Sequence, residues 1–274
     1  METQEDAQVR LRILFFVHQL GKTRHFDGVL ERLTKRGHSV VLAAAGKKGG
    51  VKGSTKTLAN GRRLEVVMCP SRRVDRWKTL APTLRLTRDY LRFFEPSHAH
   101  ALKLAARAGS YVPDAVRGLV ESRPWMQRHA RALGRVLAAA EAALPPERYF
   151  ELFIKYHEPD LVLVTPLVDP GSIQVDYIKS ARALGIPVAL AVASWDNLTN
   201  KGAIRVVPDK VFVWNQAQVE EAVTLHGVPR DRVVATGAQI FDHWFSWKPS
   251  RTREQFCETM GLEDRKSTRL NSSH

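Results

Sequence analysis

Two apolar runs flanking one short amphipathic segment constrain this chain more than any other feature. In "RLRILFFVHQLGKTRHFDGVLERLTKRGHSVVLAAAG", Ile13 to Val17 and Val40 to Ala45 are unbroken apolar stretches, and about His25 to Arg36 repeats apolar residues at helical spacing. Strands buried on both faces read as continuous runs, whereas strands with one solvated face alternate. Two such runs joined by a helix predict a βαβ unit with parallel pairing. Val29, Leu30 and Leu33 are expected on the inward face of the helix, and Gly37 is placed to end it in a left-handed residue.

The same alternation continues. "KKGGVKGSTKTLANGRR" reads as a Gly- and Lys-rich loop, and "LEVVMCP" as a third strand. Later come a strand in "PDLVLVTPLVD" ending near Thr165, a helix in "IQVDYIKSARALG" and a strand in "IPVALAVAS". A strand in "PDKVFVWN", a helix in "QAQVEEAVTLHG" and a last strand ending at Thr236-Gly237 complete the pattern. The fold class this predicts is α/β, a doubly wound Rossmann-like parallel sheet. Between about Asp75 and His157 the pattern turns purely helical, which predicts an insert. The domain is expected over residues 11–245, after a disordered stretch over 1–10, with a linker and helix over 246–263.

Two helical stretches of the insert carry arginine stripes. Arg85, Arg88 and Arg92 recur along "PTLRLTRDYLRFF", where Pro82 suits a first helical turn and Leu84, Leu91 and Phe94 share another face. Arg128, Arg131 and Arg135 recur on a helix expected from about Met126 to Leu144. One reading makes both stripes solvated faces; the other makes them a cationic surface resting on anionic lipid headgroups. The formal charge of +14 favours an anionic partner in general. The chain has no zinc finger, RNP-like aromatic motif or compact basic arm, which disfavours nucleic acid.

No stretch reaches the roughly 18 to 20 apolar residues that span a bilayer, and "METQEDAQVR" lacks the character of a signal peptide. A cytoplasmic location is expected, with the inner face of the membrane as an extension of it. Cys69 and Cys257 have neither CxxC partners nor a histidine at zinc spacing, so neither a disulfide nor a metal is indicated. The last eleven residues, "DRKSTRLNSSH", break abruptly with the helix-like "REQFCETMGLE" and match the translation of a widely used sequencing-library adapter. The natural chain is therefore expected to continue past about Glu263. Without the tail's three basic residues and one acidic residue the net charge is still +12, so the basic character belongs to the rest of the chain.

Ligands of open parallel sheets collect beyond the carboxyl ends of the strands. The candidates there are His18, Gln19, Gly21, Arg24 and His25 after the first strand, then Thr165 and Asp169, then Ser194, Trp195, Asp196, Asn197 and Thr199 in "SWDNLTNKG". The loop "HQLGKTRH" has one glycine where a dinucleotide fingerprint needs three and is not a P-loop; it is either a ligand loop or a tight turn. In "SWDNLTNKG" a carboxylate and an amide can orient sugar hydroxyls, Trp195 can stack on an apolar sugar face, and Asp196 can accept a proton. Equally, Asp196 or Asn197 can simply cap a turn. His18 and Asp196 are the candidate bases.

These segments resemble the GT-B glycosyltransferases. "RILFFVHQLGKTRHFDGVLERLTKRGHSVVLAAA" is similar to the opening of their acceptor-binding domain, and "PDKVFVWNQAQVEEAVTLHGVPRDRVVATGAQIFD" to the segment that leaves that domain for the nucleotide-sugar domain. The likeness spans about Arg12 to Phe245. It implies two Rossmann-like domains facing across a cleft, with a sugar or glycolipid acceptor held by the first domain. A nucleotide-diphosphate sugar is held by the second as donor substrate, and no metal or other cofactor lies in this half. Gly21 and His25 match the family's cleft loop by position, and His18 stands near where some members keep a base. Sugar-nucleotide epimerases and polyol-phosphate transferases share the architecture and stay open as alternatives, as does a non-catalytic basic α/β binding protein.

Overall fold

The computed structural model describes residues 9–44, 54–58, 61, 63–98 and 100–262. Among them the strands are β1 (Arg12–Val17), β2 (Ser39–Ala44), β3 (Ser54–Thr57), β4 (Arg63–Met68), β5 (Leu161–Thr165), β6 (Val188–Ala191), β7 (Lys210–Val213) and β8 (Val233–Ala235). The helices are α1 (Asp27–Lys35), α2 (Leu80–Arg92), α3 (Leu102–Gly109), α4 (Asp114–Glu121), α5 (Pro124–Arg128) and α6 (Ala130–Ala143). They continue with α7 (Arg148–His157), α8 (Gln174–Ala183), α9 (Asn197–Asn200), α10 (Gln216–His226) and α11 (Arg253–Met260). The expected disorder at residues 1–8 and the adapter-like tail from Asp264 lie outside the described residues.

One sheet in the order β3-β4-β2-β1-β5-β6-β7-β8 runs through residues 1–240, and every pairing in it is parallel except β3 with β4. The order explains the apolar runs. β1 lies between β2 and β5, so its side chains alternate between two buried faces. Ile13, Phe15 and Val17 join Phe26 and Leu30 in one core cluster. Leu14 and Phe16 join Phe150 and Ile154 of α7 and Val175, Ile178 and Ala181 of α8 in the other. There Phe16 stacks on Tyr177 with ring centroids 3.8 Å apart, a contact worth about 0.5–1.5 kcal/mol beyond burial. The helices of the insert have a third core of their own, around Tyr90, Leu91, Phe93, Val112 and Val120.

The structure departs from expectation in several places. The Gly- and Lys-rich loop, where described, holds β3, an edge strand antiparallel to β4; its remainder at 45–53, 59, 60 and 62 lies outside the described residues. The first helix starts as a 3-10 turn over Leu20–Phe26 and becomes α-helical only at Asp27. Leu30 is buried, while Val29 is 39% exposed and lines an apolar cavity beside the helix. Gly37 takes φ of +85°, as a left-handed helix end requires. The helix expected from Met126 is broken at His129 into α5 and α6.

The first arginine stripe needs the largest correction. Arg85 is 1% exposed and Arg92 7%, and Arg88 is half-buried and donates to the Arg205 carbonyl at 3.1 Å. Arg85 meets Asp176 of α8 at 2.6 Å and pairs with Glu141 of α6, while Arg73 meets Asp176 at 2.7 Å and pairs with Asp75. Asp176 is fully buried. Burial works to lower the affinity of Arg85 for its proton, but Asp176 and Glu141 prevail and raise its pKa. Arg85, Arg88 and Arg92 thus form no exposed stripe, and Arg85 with its buried acids locks the insert to the sheet layer. Arg128, Arg131 and Arg135 are exposed.

Residues 241–274 form a second unit. Its helix α11 has a reciprocal N-terminal cap, Thr252 Oγ1 accepting from the Gln255 amide while Gln255 Oε1 accepts from the Thr252 amide, and ends at Gly261 with φ of +64°.

Candidate functional site

The strand order reverses between β1 and β5. From β1 the chain works outward to β2 and β4; after the insert it restarts at β5 on the other side of β1 and works outward to β8. At such a switch point the loops beyond neighbouring strands part in opposite directions and leave a crevice, where ligands of open α/β sheets bind. The residues that follow β1 and β5 therefore have first claim on function.

His18 follows β1 directly, and its amide donates to the Thr165 carbonyl at the end of β5 at 3.3 Å. Beyond Thr165 the chain makes a cis peptide to Pro166 and a left-handed residue at Leu167, whose φ is +54°. Gln174 holds this bend from beneath: its Oε1 accepts from the Leu167 amide at 2.8 Å, and its Nε2 donates to the Thr165 carbonyl at 2.5 Å. The bend delivers Asp169 to the crevice. Asp169 Oδ2 stands 3.7 Å from His18 Nδ1, and Asp169 Oδ1 stands 3.6 Å from Lys201 Nζ. The imidazole is about half exposed and the carboxylate mostly covered. An imidazole open to ligand, with a carboxylate behind one nitrogen and a lysine beyond, is a set of groups suited to accepting a proton.

"SWDNLTNKG" lies at the carboxyl end of β6 and is largely occupied with its own turn. Asp196 Oδ1 accepts from the Ser194 hydroxyl at 2.5 Å, and its Oδ2 accepts from Asn200 Nδ2 at 2.6 Å. The Thr199 hydroxyl donates to the Asp196 carbonyl at 3.2 Å, and Asn197 Oδ1 accepts from the Ala193 amide at 3.2 Å. Gln218 ties the turn to α10, donating to the carbonyls of Ser194 and Trp195 at 3.1 and 3.2 Å. Partial burial works to raise the Asp196 pKa, but the bonds from Ser194 and Asn200, with the charge of Lys201, hold it below the ordinary value. A carboxylate so engaged is a weak proton acceptor. Trp195 is 72% exposed and is the one side chain of the motif presented whole to solvent. Thr165 is buried and spends its hydroxyl on the Ala191 carbonyl at 2.7 Å.

Gly202 ends the motif for a steric reason. Its amide donates to the Val168 carbonyl at 2.7 Å, and a Cβ there would stand 2.6–2.7 Å from Arg205 and Asp89, which pair behind it. Arg205 also donates to the Asp169 carbonyl at 3.2 Å, so the crevice loop leans on a buried ion pair. Lys201, Arg205 and Gln218 are absent from the sequence-derived candidates. The signal for Lys201 was its place in "NKG"; the other two lie in segments that read as ordinary strand approach and helix.

The remaining candidates follow β1. Gln19, Gly21 and Arg24 are exposed, and a side chain at Gly21 would meet nothing within 4 Å, so no close backbone approach there demands glycine. The His25 carbonyl accepts from Gln239, whose Oε1 in turn accepts from the Gly28 amide at 2.9 Å. Between α1 and the sheet lies an apolar cavity of about 340 Å³, with Phe15, Leu33, Leu163, Phe212 and Trp214 among its walls. Arg128, Arg131 and Arg135 belong to the insert and take no part in the crevice.

Fold and crevice together define a class: a doubly wound α/β domain with an imidazole, a carboxylate and an ammonium gathered at its topological switch point. No protein-family model matches the chain, and no curated protein matches it in sequence. Among solved structures, UDP-N-acetylglucosamine 2-epimerase from Rickettsia bellii is similar with a TM-score of 0.41 at 10% identity, over 93% of this chain and 52% of that one. Arabidopsis thaliana UGT89C1 complexed with quercetin is similar with a TM-score of 0.35 at 12% identity, over 88% of this chain and 56% of that one. The chain thus spans about half the length of the solved chains it resembles. Likeness at this level assigns neither a substrate nor a site residue. Among the described residues, no helix is long and apolar enough to cross a membrane.

Proposed function

We propose that this chain is the acceptor-holding domain of a glycosyltransferase, with a second domain supplying the nucleotide-diphosphate sugar. The observation that carries this reading is the approach of His18 and Asp169 at the switch point between β1 and β5. Asp169 faces Nδ1, so the imidazole is oriented with Nε2 as the base. In the transfer step the acceptor hydroxyl gives its proton to Nε2 and its oxygen bonds to the anomeric carbon. The bond from that carbon to the diphosphate breaks, and the nucleoside diphosphate leaves with the electron pair. Asp169 stabilises the imidazolium that forms, as a carboxylate behind a histidine base does. The present 3.7 Å separation shortens to a hydrogen bond when ligand closes the site, since catalytic contacts are commonly long without ligand.

Trp195 offers an exposed ring for a sugar face, and the apolar cavity beside α1 offers room for the apolar part of a glycolipid acceptor. The surface glycolipid or polysaccharide acceptor and the inner membrane face as workplace belong to the same proposal.

The test uses the protein at its full natural length, incubated with UDP-sugars in the presence and absence of glycolipid acceptors. Acceptor-dependent release of nucleoside diphosphate that falls about 100-fold or more in His18→Ala supports the reading. Conversion of the nucleotide sugar without acceptor replaces it with an epimerase, and transfer of a polyol phosphate replaces it with that transferase. Absence of turnover with every nucleotide sugar and polyol donor leaves the binding-protein alternative. The 274-residue chain alone is expected to show no transfer.

A further inference from the structure

A cavity of about 420 Å³ opens between α2, α6 and the end of α10, and it shares no lining residue with the crevice or with the apolar cavity. Arg88, Arg92, Arg131 and Arg135 line it with His98 and His226, and among its described lining residues Glu95 is the one carboxylate. Glu95 stands 3.9 Å from Arg131 Nε, at the exposed rim. The volume is within the roughly 300–1,000 Å³ of small-molecule sites.

Arg92 is the anomaly. It is 7% exposed, yet its Nε and Nη2 have no hydrogen-bond partner among the described residues, and its Nη1 reaches only the Lys201 carbonyl, at 3.5 Å. Arg85, also buried, has Asp176 and Glu141, and Arg205, whose Nε and Nη1 likewise lack partners among the described residues, has Asp89, whereas Arg92 has no carboxylate at hydrogen-bonding distance. Burying a cation without a counter-ion is costly, and folded proteins seldom leave such N–H groups unmet. The neighbourhood registers the unbalanced charge. Burial and the Arg88 charge, against the pull of Glu95, lower the Arg92 pKa to about 10. Burial and the Arg92 charge push His98 down to about 4 and His226 to about 3, so both rings are neutral at pH 7.

We propose that this cavity binds the phosphate group of a small phosphorylated molecule, held by Arg92 from within and by Arg131 and Arg135 from the rim. Guanidinium groups meet phosphate oxygens in pairs of charge-assisted hydrogen bonds, and several arginines against one carboxylate suit a multiply charged group. Contact with Nε and Nη2 takes a rotation of the Arg92 side chain, whose link to the Lys201 carbonyl is weak. The inference stands apart from the glycosyltransferase reading and holds whether or not transfer is found.

The test is titration of the whole chain at 150 mM NaCl with inorganic phosphate, with pyrophosphate and with phosphatidylcholine vesicles containing one-fifth phosphatidylglycerol, read by calorimetry and by Tm. Saturable binding of phosphate or pyrophosphate, with a rising Tm, is expected. Arg135→Glu, at an exposed site, should weaken it at least 10-fold, whereas Arg36→Glu, an equal charge change on the exposed end of α1, should leave it within 2-fold. Arg92→Met should abolish binding and raise the Tm of the ligand-free chain, because it removes a buried cation with no carboxylate at hydrogen-bonding distance among the described residues. Equal losses in the Arg135 and Arg36 variants, binding to vesicles alone, absence of saturable binding, or a lower Tm in Arg92→Met each overturn the proposal.

Discussion

The ion network under the insert and the crevice between β1 and β5 are made from the same kinds of group, yet they differ in access to water. In the network Arg73, Arg85, Asp176 and Glu141 are all nearly or wholly buried, and each cation finds a carboxylate at hydrogen-bonding distance. In the crevice His18 is about half exposed, and neither it nor Lys201 comes closer to Asp169 than 3.6 Å. Sealed charges with complete partners hold one geometry and have nothing left to offer a ligand. Charges at salt-bridge distance but short of contact, facing solvent, keep unused hydrogen-bonding capacity, which proton transfer requires.

The sharpest way to break this comparison is Asp176→Ala. It leaves Arg73 without its buried partner and Arg85 with Glu141 alone, and removing one member of a buried ion network costs about 3–5 kcal/mol. Urea unfolding should show that loss directly; a loss under 1 kcal/mol would mean that water reaches the network. In the crevice the outcome should invert. Under the proposed transfer, His18→Ala should cut kcat about 100-fold, near 2.7 kcal/mol of barrier, while its urea midpoint stays within error. Asp169→Asn should also lower kcat, because the base loses its orienting charge.

A third contrast uses pH. His226 is a partly buried, neutral ring, Nδ1 accepting from the Ile204 amide at 3.0 Å and Nε2 donating to the Leu198 carbonyl at 2.7 Å, with its pKa lowered from 6.5 to about 3 by desolvation and by Arg92. The unfolded ring takes up a proton as pH falls through 6.5, and the folded ring refuses it until about pH 3. Its contribution is therefore whole above pH 6.5 and drains away in acid, by about 2 kcal/mol at pH 5. In His226→Gln the fall in unfolding free energy between pH 7 and pH 5, read from urea titrations, should shrink by that amount. An unchanged fall would show that the ring is protonated in the fold.

The sheet was legible because parallel strands buried on both faces leave unbroken apolar runs, and β1, β2, β5, β6 and β7 each left one. β3 left none: "STKT" is a polar edge strand paired on one side, where burial writes no pattern. The two arginine stripes looked alike because helical periodicity records which residues share a face without recording what the face meets. Asp89, at i+4 from Arg85, was the local hint that the first stripe carries acids of its own, and Asp176 lay far along the chain in a helix that read as ordinary. His18 and Asp169 could each be named as residues at strand ends, and Lys201 could not. The pairing of His18 with Asp169 could not be read either, because it depends on β5 inserting beside β1 after a long helical excursion, and only the strand order supplies that.

The smallest expected effect concerns the stretch richest in polar groups. Asp196 holds Ser194 and Asn200 and thereby shapes the short α9 turn that sets Lys201 beside Asp169. Asp196→Ala should cost about 1 kcal/mol at pH 7, the scale of lost side-chain hydrogen bonds at a partly exposed site. The folded pKa is lowered, so the stabilisation is present above the ordinary value of 3.8 and is lost as pH falls below it. Parent and variant should therefore differ in urea midpoint at pH 7 and differ less at a pH below 3.8. If they differ equally at both, the ionised carboxylate is not what holds the turn. If instead the variant matches the parent in stability at pH 7 but loses acceptor-dependent turnover 100-fold, Asp196 belongs with His18 among the reacting groups and the division between sealed and open charges fails at this loop.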